Sequence, residues 1–269
     1  MLRRASRGEQ RLFLAEGPQA VREALATPDC VVEVFATEGA PLERELRAPD
    51  SGAARPPAWH YVDEAALTTL TQTVHPQGIV AVCRFLDVPL DTVTRSVALG
   101  DTAASTERPA LLAVCADVRD PGNAGTVVRC ADAAGADAVI LAGNSVDPYN
   151  GKAVRASAGS LFHVPIALAA DPAAVVRRVR SSGVQVLAAD GAGELDLDAA
   201  EDADLLRRPT AWLFGNEAWG LPDELAALAD HRVAIPIHGR AESLNLATAA
   251  AVCLYSSARH LRRRPHVRR

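Results

Sequence analysis

Short apolar runs alternate with helical segments through the second half of the chain, and this alternation restricts the possible fold more than any other feature. The runs that predict strands lie at residues 111–116, 138–142, 184–189, 211–214 and 233–237. Helical patterns lie between or after them, at residues 126–134, 151–158, 226–229 and 244–261. Strands separated by helices favour a mainly parallel sheet with helices on both faces. We therefore predict an α/β fold for this region.

A smaller α/β unit is predicted before this region. Its helices are expected at residues 17–26 and 63–70, and its strands at residues 31–36, 59–62 and 78–85. The stretch 87–109 has no clear periodicity and contains two prolines, which is typical of a linker. The predicted organisation is a small domain at residues 1–86, a linker at 87–109 and a larger domain at 110–269.

Composition excludes several classes of protein. The chain has 269 residues, 49% of them hydrophobic, and no apolar run long enough to span a membrane. The N-terminal residues 1–11 lack the apolar stretch of a signal peptide. The five cysteines are scattered without a CxxC spacing, which favours buried thiols over a zinc site or disulfides. We expect a cytoplasmic protein without a metal.

Charge is unevenly distributed along the chain. The net charge is −5, yet residues 259–269 carry six arginines and no acid. Residues 1–11 carry four arginines against Glu9. Basic ends on an acidic body fit a polyanionic partner such as RNA, whereas solvated tails with no binding role are the alternative. Charge alone does not separate the two interpretations.

The first polar segment, residues 121–129, reads PGNAGTVVR and follows a predicted strand. Pro121 and Gly122 favour a turn, Asn123 can cap the next helix, and Gly125 permits close backbone approach. A strand–turn–helix junction explains these residues without any function. Arg129 is different, because it interrupts an apolar helical run, and a buried arginine needs an anionic partner or a ligand.

The second segment, residues 213–222, reads LFGNEAWGLP and continues an apolar strand. A strand that ends in Gly-Asn-Glu can offer its backbone groups to a ligand. Glu217 could pair with Arg129 or contact ribose hydroxyls. The alternative is a surface loop before a helix that begins near Pro222.

The third segment, residues 235–245, reads IPIHGRAESLN and precedes the long C-terminal helical pattern. Ser243 and Asn245 flank Leu244, so one of them could cap the helix while the other contacts a substrate. Open α/β sheets bind ligands at the carboxyl ends of their strands, where all three segments are expected. The chain lacks the glycine fingerprints of dinucleotide and P-loop sites, and its histidines have no metal-ligand spacing.

In this order and spacing, the three segments resemble the signature motifs of the SPOUT superfamily. More narrowly, they are similar to those of SpoU or TrmH-like RNA 2′-O-ribose methyltransferases. The matching residues are Asn123, Gly125 and Arg129 in the first motif, Gly215, Glu217 and Gly220 in the second, and Ile235, Pro236, Ser243, Leu244 and Asn245 in the third. Residues 16–85, with HPQGIVAV at 75–82, resemble the RNA substrate-binding domain often fused before this catalytic domain.

This resemblance implies an α/β domain with a trefoil knot, a homodimer with sites near the subunit interface, and S-adenosylmethionine as cofactor. It implies an RNA substrate, with large-subunit 23S rRNA favoured over tRNA. The catalytic residues that it implies are Arg129, Asn123, Glu217, Ser243 and Asn245. The cofactor-binding residues that it implies are Gly215, Ile235, Leu244, Leu213, Asn216 and Ile237.

The family assigns activation of the 2′-hydroxyl to the motif-one arginine, here Arg129. A guanidinium holds its proton with a pKa above about 12, so binding a phosphate and stabilising a developing oxyanion suits Arg129 better than acting as a base. The alternatives are a tRNA methyltransferase and a non-catalytic RNA-binding protein of the same fold. An unrelated nucleotide-dependent oxidoreductase is disfavoured by the missing glycine fingerprint.

Overall fold

The computed structural model describes residues 3–40, 56–73, 75–100 and 108–262. The polar segment 42–55, part of the predicted linker and the end of the arginine-rich tail lie outside these residues. The chain divides into two compact units. The first comprises Met1–Leu86 and Asp147–His163, and the second comprises Asp87–Val146 and Val164–Arg269.

The first unit contains a four-stranded sheet in the order β1-β4-β2-β3. Its strands are β1 (Leu12–Glu16), β2 (Val31–Ala36), β3 (Ala58–Tyr61) and β4 (Ile79–Arg84). β4 is antiparallel to both β1 and β2, and β3 is parallel to β2. The helices of this unit are α1 (Arg4–Gln10), α2 (Pro18–Ala26), α3 (Glu64–Leu70) and α6 (Gly151–Ser157), with a 3-10 turn at Ser160–Phe162. The predicted elements of this unit are confirmed to within about two residues, and α1 and β1 were not predicted.

Residues 147–163 group with the first compact unit, although the predicted organisation places them in the larger domain. The cause is an aromatic cluster in which the Tyr149 ring stacks on Phe85, with 3.9 Å between centroids, and lies 4.8 Å from Phe13. Asp147 also pairs with Arg7 of α1 at 2.6 Å, with both side chains almost completely buried. The N-terminal arginines are therefore not all solvated, because one of them is a structural ion-pair partner.

The second unit contains a seven-stranded parallel sheet in the order β7-β6-β5-β10-β8-β11-β9. Its strands are β5 (Leu111–Ala116), β6 (Ala138–Ala142), β7 (Ile166–Ala169), β8 (Gln185–Ala189), β9 (Leu195–Asp196), β10 (Thr210–Phe214) and β11 (His231–Ala234). Every residue of β5, β6 and β10 is buried. Their unbroken apolar runs are what a parallel strand covered on both faces requires.

Helices cover both faces of this sheet, as predicted. The helices are α4 (Leu90–Leu99), α5 (Pro121–Ala134), α7 (Pro172–Ser181), α8 (Leu197–Asp202), α9 (Asp223–Ala226) and α10 (Leu246–Arg262). Val93 of α4, Val176 of α7 and Leu225 of α9 pack into one core with alternate strand residues. On the other face α10 packs against α5, and the buried Trp212 indole donates a hydrogen bond of 2.8 Å to Ser257 Oγ.

The prediction of an unstructured linker at 87–109 is wrong for α4. Leu90, Val93 and Val97 lie three or four residues apart and place one apolar stripe against the core. The stripe is too short to stand out among the surrounding polar residues. Elsewhere in this unit, β5 and β6 match their predicted bounds, whereas α5 begins five residues earlier than predicted, because its N-cap is Asp120 rather than Asn123.

Among the described residues, no helix is long and apolar enough to cross a membrane.

Candidate functional site

The three polar segments meet where β5, β10 and β11 reach their carboxyl ends in the second unit. The first segment lies in the turn after β5 and the start of α5, the second follows β10, and the third connects β11 to α10. β5 and β10 are neighbours in the sheet, which brings their following loops together. Side-chain hydrogen bonds join all three segments.

Glu217 of the second segment holds the first. Its Oε2 accepts a hydrogen bond from the backbone N–H of Arg119 at 3.1 Å, and its Oε1 accepts one from Asp120 at 3.0 Å. The Asn123 amide donates a third, at 3.1 Å. Partial burial raises the pKa of Glu217, but these hydrogen bonds outweigh it, and the net pKa lies below its ordinary value. Glu217 is therefore a carboxylate that fixes the loop before α5.

Asn123 links the first segment to the third. Its Oδ1 accepts a hydrogen bond of 3.0 Å from the Asn245 side-chain amide. The cap of α5 differs from the prediction, because Asp120 rather than Asn123 takes that position and accepts from the Asn123 backbone N–H. Asn245 caps α10 by accepting from the N–H of Ala247 at 2.9 Å. The Asn123 side chain therefore does not cap α5, and it forms hydrogen bonds with both Glu217 and Asn245.

Ser243 and Asn245 divide the two roles that the sequence left open. Asn245 is the cap, whereas Ser243 is exposed and lines a cavity. Within the described part of the chain, the Ser243 hydroxyl makes no hydrogen bond. It is therefore available to a ligand.

The second segment forms a tight turn. Asn216 and Gly220 exchange two backbone hydrogen bonds of 2.9 Å each, and the Asn216 side chain donates to the Asp117 carbonyl at 2.6 Å. A Cβ added at Gly215 would lie 2.3 Å from the Gly220 carbonyl carbon and 2.6 Å from the Leu221 nitrogen. Both are backbone atoms that cannot rotate away, so this turn requires glycine at position 215.

A cavity of about 340 Å³ opens beside this turn. Most of the residues predicted to bind the cofactor or substrate line it: Gly215, Asn216, Glu217, Ile235, Ile237, Ser243 and Leu244. Leu213 does not line the cavity. Successive residues of a strand point to opposite faces of the sheet, and the Leu213 side chain packs into the core beneath α4, α7 and α9. Its neighbour Phe214 lines the cavity instead.

Arg129 corrects a prediction. It is exposed rather than buried, and it makes no hydrogen bond or ion pair with the described residues, so it does not pair with Glu217. The apolar residues next to Arg129 in the sequence do not share its side of the helix. Val127 and Ala131 lie two residues before and after it, which is about 200° around the helix axis, so they face the opposite direction. In this structure Arg129 stands apart from the hydrogen-bonded cluster of Glu217, Asn123 and Asn245.

The loop after β8 was not among the predicted site segments, yet it forms a wall of the cavity. Ala189, Asp190 and Gly191 all line it. Asp190 is paired with Arg232 at 2.8 Å, and Gly193 lies so close to Arg232 that an added Cβ would meet its carbonyl oxygen at 2.6 Å. The strand–acid–glycine sequence after β8 was the signal that could have identified this wall.

The cavity has the properties of a small-molecule ligand site. It combines aliphatic side chains with exposed backbone and a few polar groups, and its volume lies within the range of small-molecule sites. Residues 236–244 make no backbone–backbone hydrogen bond with the described chain, so their N–H and C=O groups are open to a ligand.

No cluster of potential metal ligands is found among the described residues. Four of the five cysteines are buried, as predicted, and Cys130 is half-buried. Burial, with a further contribution from the charge of Glu217, raises the pKa of Cys115 to about 12. This thiol is therefore a core group without nucleophilic character at neutral pH.

Comparison with known families accounts for both units. The SpoU rRNA Methylase family matches residues 110–255, and the RNA 2′-O ribose methyltransferase substrate-binding family matches residues 14–89. The chain therefore belongs to the SpoU rRNA methylase family. It is an RNA 2′-O-ribose methyltransferase, and the cofactor of this family is S-adenosylmethionine.

Individual relatives agree with this assignment. The 23S rRNA (guanosine(2553)-2′-O)-methyltransferase RlmP of Bacillus subtilis is 35% identical over 254 residues, covering 93% of this chain and 88% of the relative. An AdoMet-bound rRNA methyltransferase from Sinorhizobium meliloti is 35% identical, with a TM-score of 0.80 over 97% of this chain and 92% of the other. AviRb of Streptomyces viridochromogenes, in complex with AdoMet, is 30% identical with a TM-score of 0.76, over 96% and 93% of the two chains.

Proposed function

We propose that this enzyme methylates a ribose 2′-oxygen of large-subunit 23S rRNA, with the residues of the three segments as its active site. The observation that carries the proposal is the hydrogen-bonded chain Glu217–Asn123–Asn245, which joins the three segments and of which Glu217 lines the cavity. The named function of the B. subtilis relative, which aligns with nearly the whole of this chain, supports 23S rRNA as the substrate.

The cavity is the proposed cofactor site. Gly215 and Asn216 would contact the cofactor through the β10 turn, and Ile235, Ile237 and Leu244 through aliphatic contacts and neighbouring backbone groups. Leu213 would not contact the cofactor and would support the site only by packing β10 into the core. S-adenosylmethionine, when bound, supplies an electrophilic methyl group that needs no metal.

The ribose and its phosphate would lie on the polar side of the cavity. Ser243 has an unused hydroxyl there. The amide groups of Asn123 and Asn245, which connect to this side through Glu217, are already oriented by each other and by that carboxylate. Holding the 2′-oxygen in a reactive orientation can supply on the order of 7–11 kcal/mol of the barrier. Glu217 would act as a positioning residue, since its oxygens are occupied by Arg119, Asp120 and Asn123.

Arg129 would bind a phosphate next to the reacting ribose. Its guanidinium is exposed and unpaired within the described chain, and the planar fork of a guanidinium matches the geometry of a phosphate. It would stabilise negative charge that develops on the 2′-oxygen, while the phosphate or water accepts the proton.

We also propose that the enzyme is a cytoplasmic homodimer formed through the second unit, and that this unit contains the trefoil knot. The exposed Tyr255 on α10 and the exposed Arg129 on α5 support such an interface, because these two helices pack side by side. Membership of the SpoU family supports the knot.

Methyl transfer from labelled S-adenosylmethionine to total RNA, with Arg129→Ala in parallel, tests the function. We expect label in large-subunit rRNA that survives nuclease digestion as a 2′-O-methyl dinucleotide, and none with the variant. Label in tRNA would overturn the proposed substrate. Binding of the cofactor without transfer to rRNA, tRNA or isolated 50S subunits would overturn the catalytic proposal in favour of a non-catalytic RNA-binding protein.

A further inference from the structure

Trp219 is the most exposed aromatic side chain in the part of the chain that the structure describes. It is 60% exposed, whereas Trp212 in the same unit is completely buried. It lies between Ala218 and Gly220, both of which line the cavity. A large exposed aromatic side chain next to a ligand cavity commonly marks a contact surface.

The turn that carries Trp219 is held firmly. Asn216 and Gly220 bond to each other through both backbone groups at 2.9 Å, and Asn216 Oδ1 accepts from the Ala218 N–H at 2.8 Å. Gly220 closes the turn with a φ of +69°, a conformation that favours glycine. The backbone that presents the indole is therefore fixed before any partner binds, which lowers the entropy cost of binding.

An exposed cation, Arg119, lies on the loop that Glu217 holds. Arg119 is exposed, its side chain makes no hydrogen bond with the described residues, and its backbone N–H is held by Glu217 Oε2 at 3.1 Å. Glu217 is two residues before Trp219 in the chain, so the residue that holds the Arg119 backbone belongs to the same short turn as Trp219. Exposed aromatic and arginine side chains are the groups with which proteins bind the bases and phosphates of single-stranded RNA.

We propose that Trp219 is a base-stacking residue for the RNA substrate, and that Arg119 contacts a phosphate beside the stacked nucleotide. This inference rests on the proposed function, and it adds a requirement for an unstacked base at the entrance of the cavity. The enzyme would accordingly favour target nucleotides in single-stranded loops over nucleotides in a continuous RNA helix.

Steady-state kinetics on deproteinised 23S rRNA provide the first test, with Trp219→Ala, Trp219→Phe and Leu168→Ala compared. Leu168 is a matched control, because it is an exposed apolar residue of the same unit on the edge strand β7, away from the cavity. Loss of a stacking contact should raise the KM for RNA about 5- to 100-fold in Trp219→Ala. Trp219→Phe should recover most of this loss, and Leu168→Ala should match the wild type.

Fluorescence isolates the contact itself. A 12-nucleotide single-stranded RNA should quench the indole emission of the wild type more than that of Trp219→Phe. An abasic oligomer of equal length should not produce this difference in quenching. Arg119→Ala should weaken binding of both oligomers and reduce the salt dependence by about one phosphate contact. Equal quenching by the abasic oligomer, or an unchanged KM in Trp219→Ala, would overturn the proposal.

Two further measurements distinguish base stacking from a role of Trp219 in subunit assembly or in cofactor binding. Sedimentation of Trp219→Ala should give the wild-type mass, and dissociation into smaller species would instead assign Trp219 to a subunit interface and overturn the stacking role. Calorimetry should give an unchanged Kd for S-adenosylmethionine. A wild-type enzyme that methylates no RNA would refute the proposed function. An active wild type together with an unchanged KM for RNA in Trp219→Ala would refute only the stacking inference.

Discussion

The Asn245 side-chain amide donates a hydrogen bond of 3.0 Å to Oδ1 of Asn123, although the two residues are 122 positions apart in the chain. The same Asn245 uses its own Oδ1 to cap α10 through the N–H groups of Ala247 and Thr248. One side chain therefore both begins the last helix and orients the amide that reaches Glu217.

Asn245→Asp should separate these two roles. A carboxylate still accepts hydrogen bonds at a helix N-terminus, where negative charge is favourable, but it cannot donate to Asn123. We expect the melting temperature to remain close to that of the wild type and methyl transfer to fall at least about tenfold, equivalent to ~1.4 kcal/mol.

Asn245→Ala is the matched control for that experiment. It removes the cap as well as the donor, so it should lose about 1 kcal/mol of stability in addition to activity. Equal melting temperatures for the Ala and Asp variants, measured by calorimetry, would contradict the capping role.

Gly215→Ala tests the close approach of the Gly215 backbone to the backbone of Gly220 and Leu221. The added Cβ would meet the Gly220 carbonyl carbon at 2.3 Å, so the turn must shift and the cavity must change shape. We expect a loss of stability of about 1–3 kcal/mol and a marked loss of cofactor affinity. Denaturant unfolding and calorimetry with S-adenosylmethionine measure the two effects.

Gly239→Ala is the matched substitution, because an added Cβ there meets nothing within 4 Å. It lies in the third segment, so general damage to that loop is also controlled. Wild-type cofactor affinity in Gly215→Ala would show that the β10 turn does not contact the cofactor.

The sequence predicted those parts of the fold in which local pattern and tertiary environment agree. β5 and β6 were placed without error, because strands buried on both faces are unbroken apolar runs. The three segments of the site were identified because their polar and glycine residues do not arise from core packing. Five of the six predicted cofactor-binding residues line the cavity, and Leu213 is the exception.

Two of the errors have a common physical origin in the direction of side chains. Arg129 was expected to be buried because its neighbours in sequence are apolar, but the helical turn places it on the opposite side. Asn123 was expected to cap α5, but Asp120 takes that position and Asn123 is used between segments. Such partners are decided by residues about 100 positions away, which no local pattern contains.

Arg129→Ala should abolish methyl transfer without weakening the fold. Arg129 is exposed and unpaired within the described chain, so its truncation should change the free energy of unfolding by less than about 0.5 kcal/mol. Removal of a group that stabilises developing charge typically lowers kcat by about 100- to 1,000-fold. Cofactor affinity should be retained.

Arg129→Lys distinguishes charge from geometry, since lysine keeps the charge but lacks the planar fork that binds a phosphate with two hydrogen bonds. We expect partial activity that remains well below that of the wild type. Parallel loss of transfer and cofactor binding in Arg129→Ala, measured by calorimetry, would place Arg129 in the cofactor site instead.

Glu217→Gln should remove a contribution to stability that depends on pH. Hydrogen bonds from Arg119, Asp120 and Asn123 lower the folded-state pKa of Glu217 below its ordinary value of 4.5, despite partial burial that acts in the opposite direction. A carboxyl group with a depressed pKa stabilises the fold above its unfolded pKa and loses that effect as the pH falls through the folded value. The wild type should therefore exceed the variant in stability at pH 7, and the difference should shrink below pH 4.5. Urea unfolding of both proteins across this pH range measures the difference in stability. Glu242→Gln is the control, because the Glu242 carboxylate lines the same cavity but accepts no hydrogen bond from the described residues. A difference that stays constant from pH 7 into the acid range would mean that the charge of Glu217 does not hold the loop before α5.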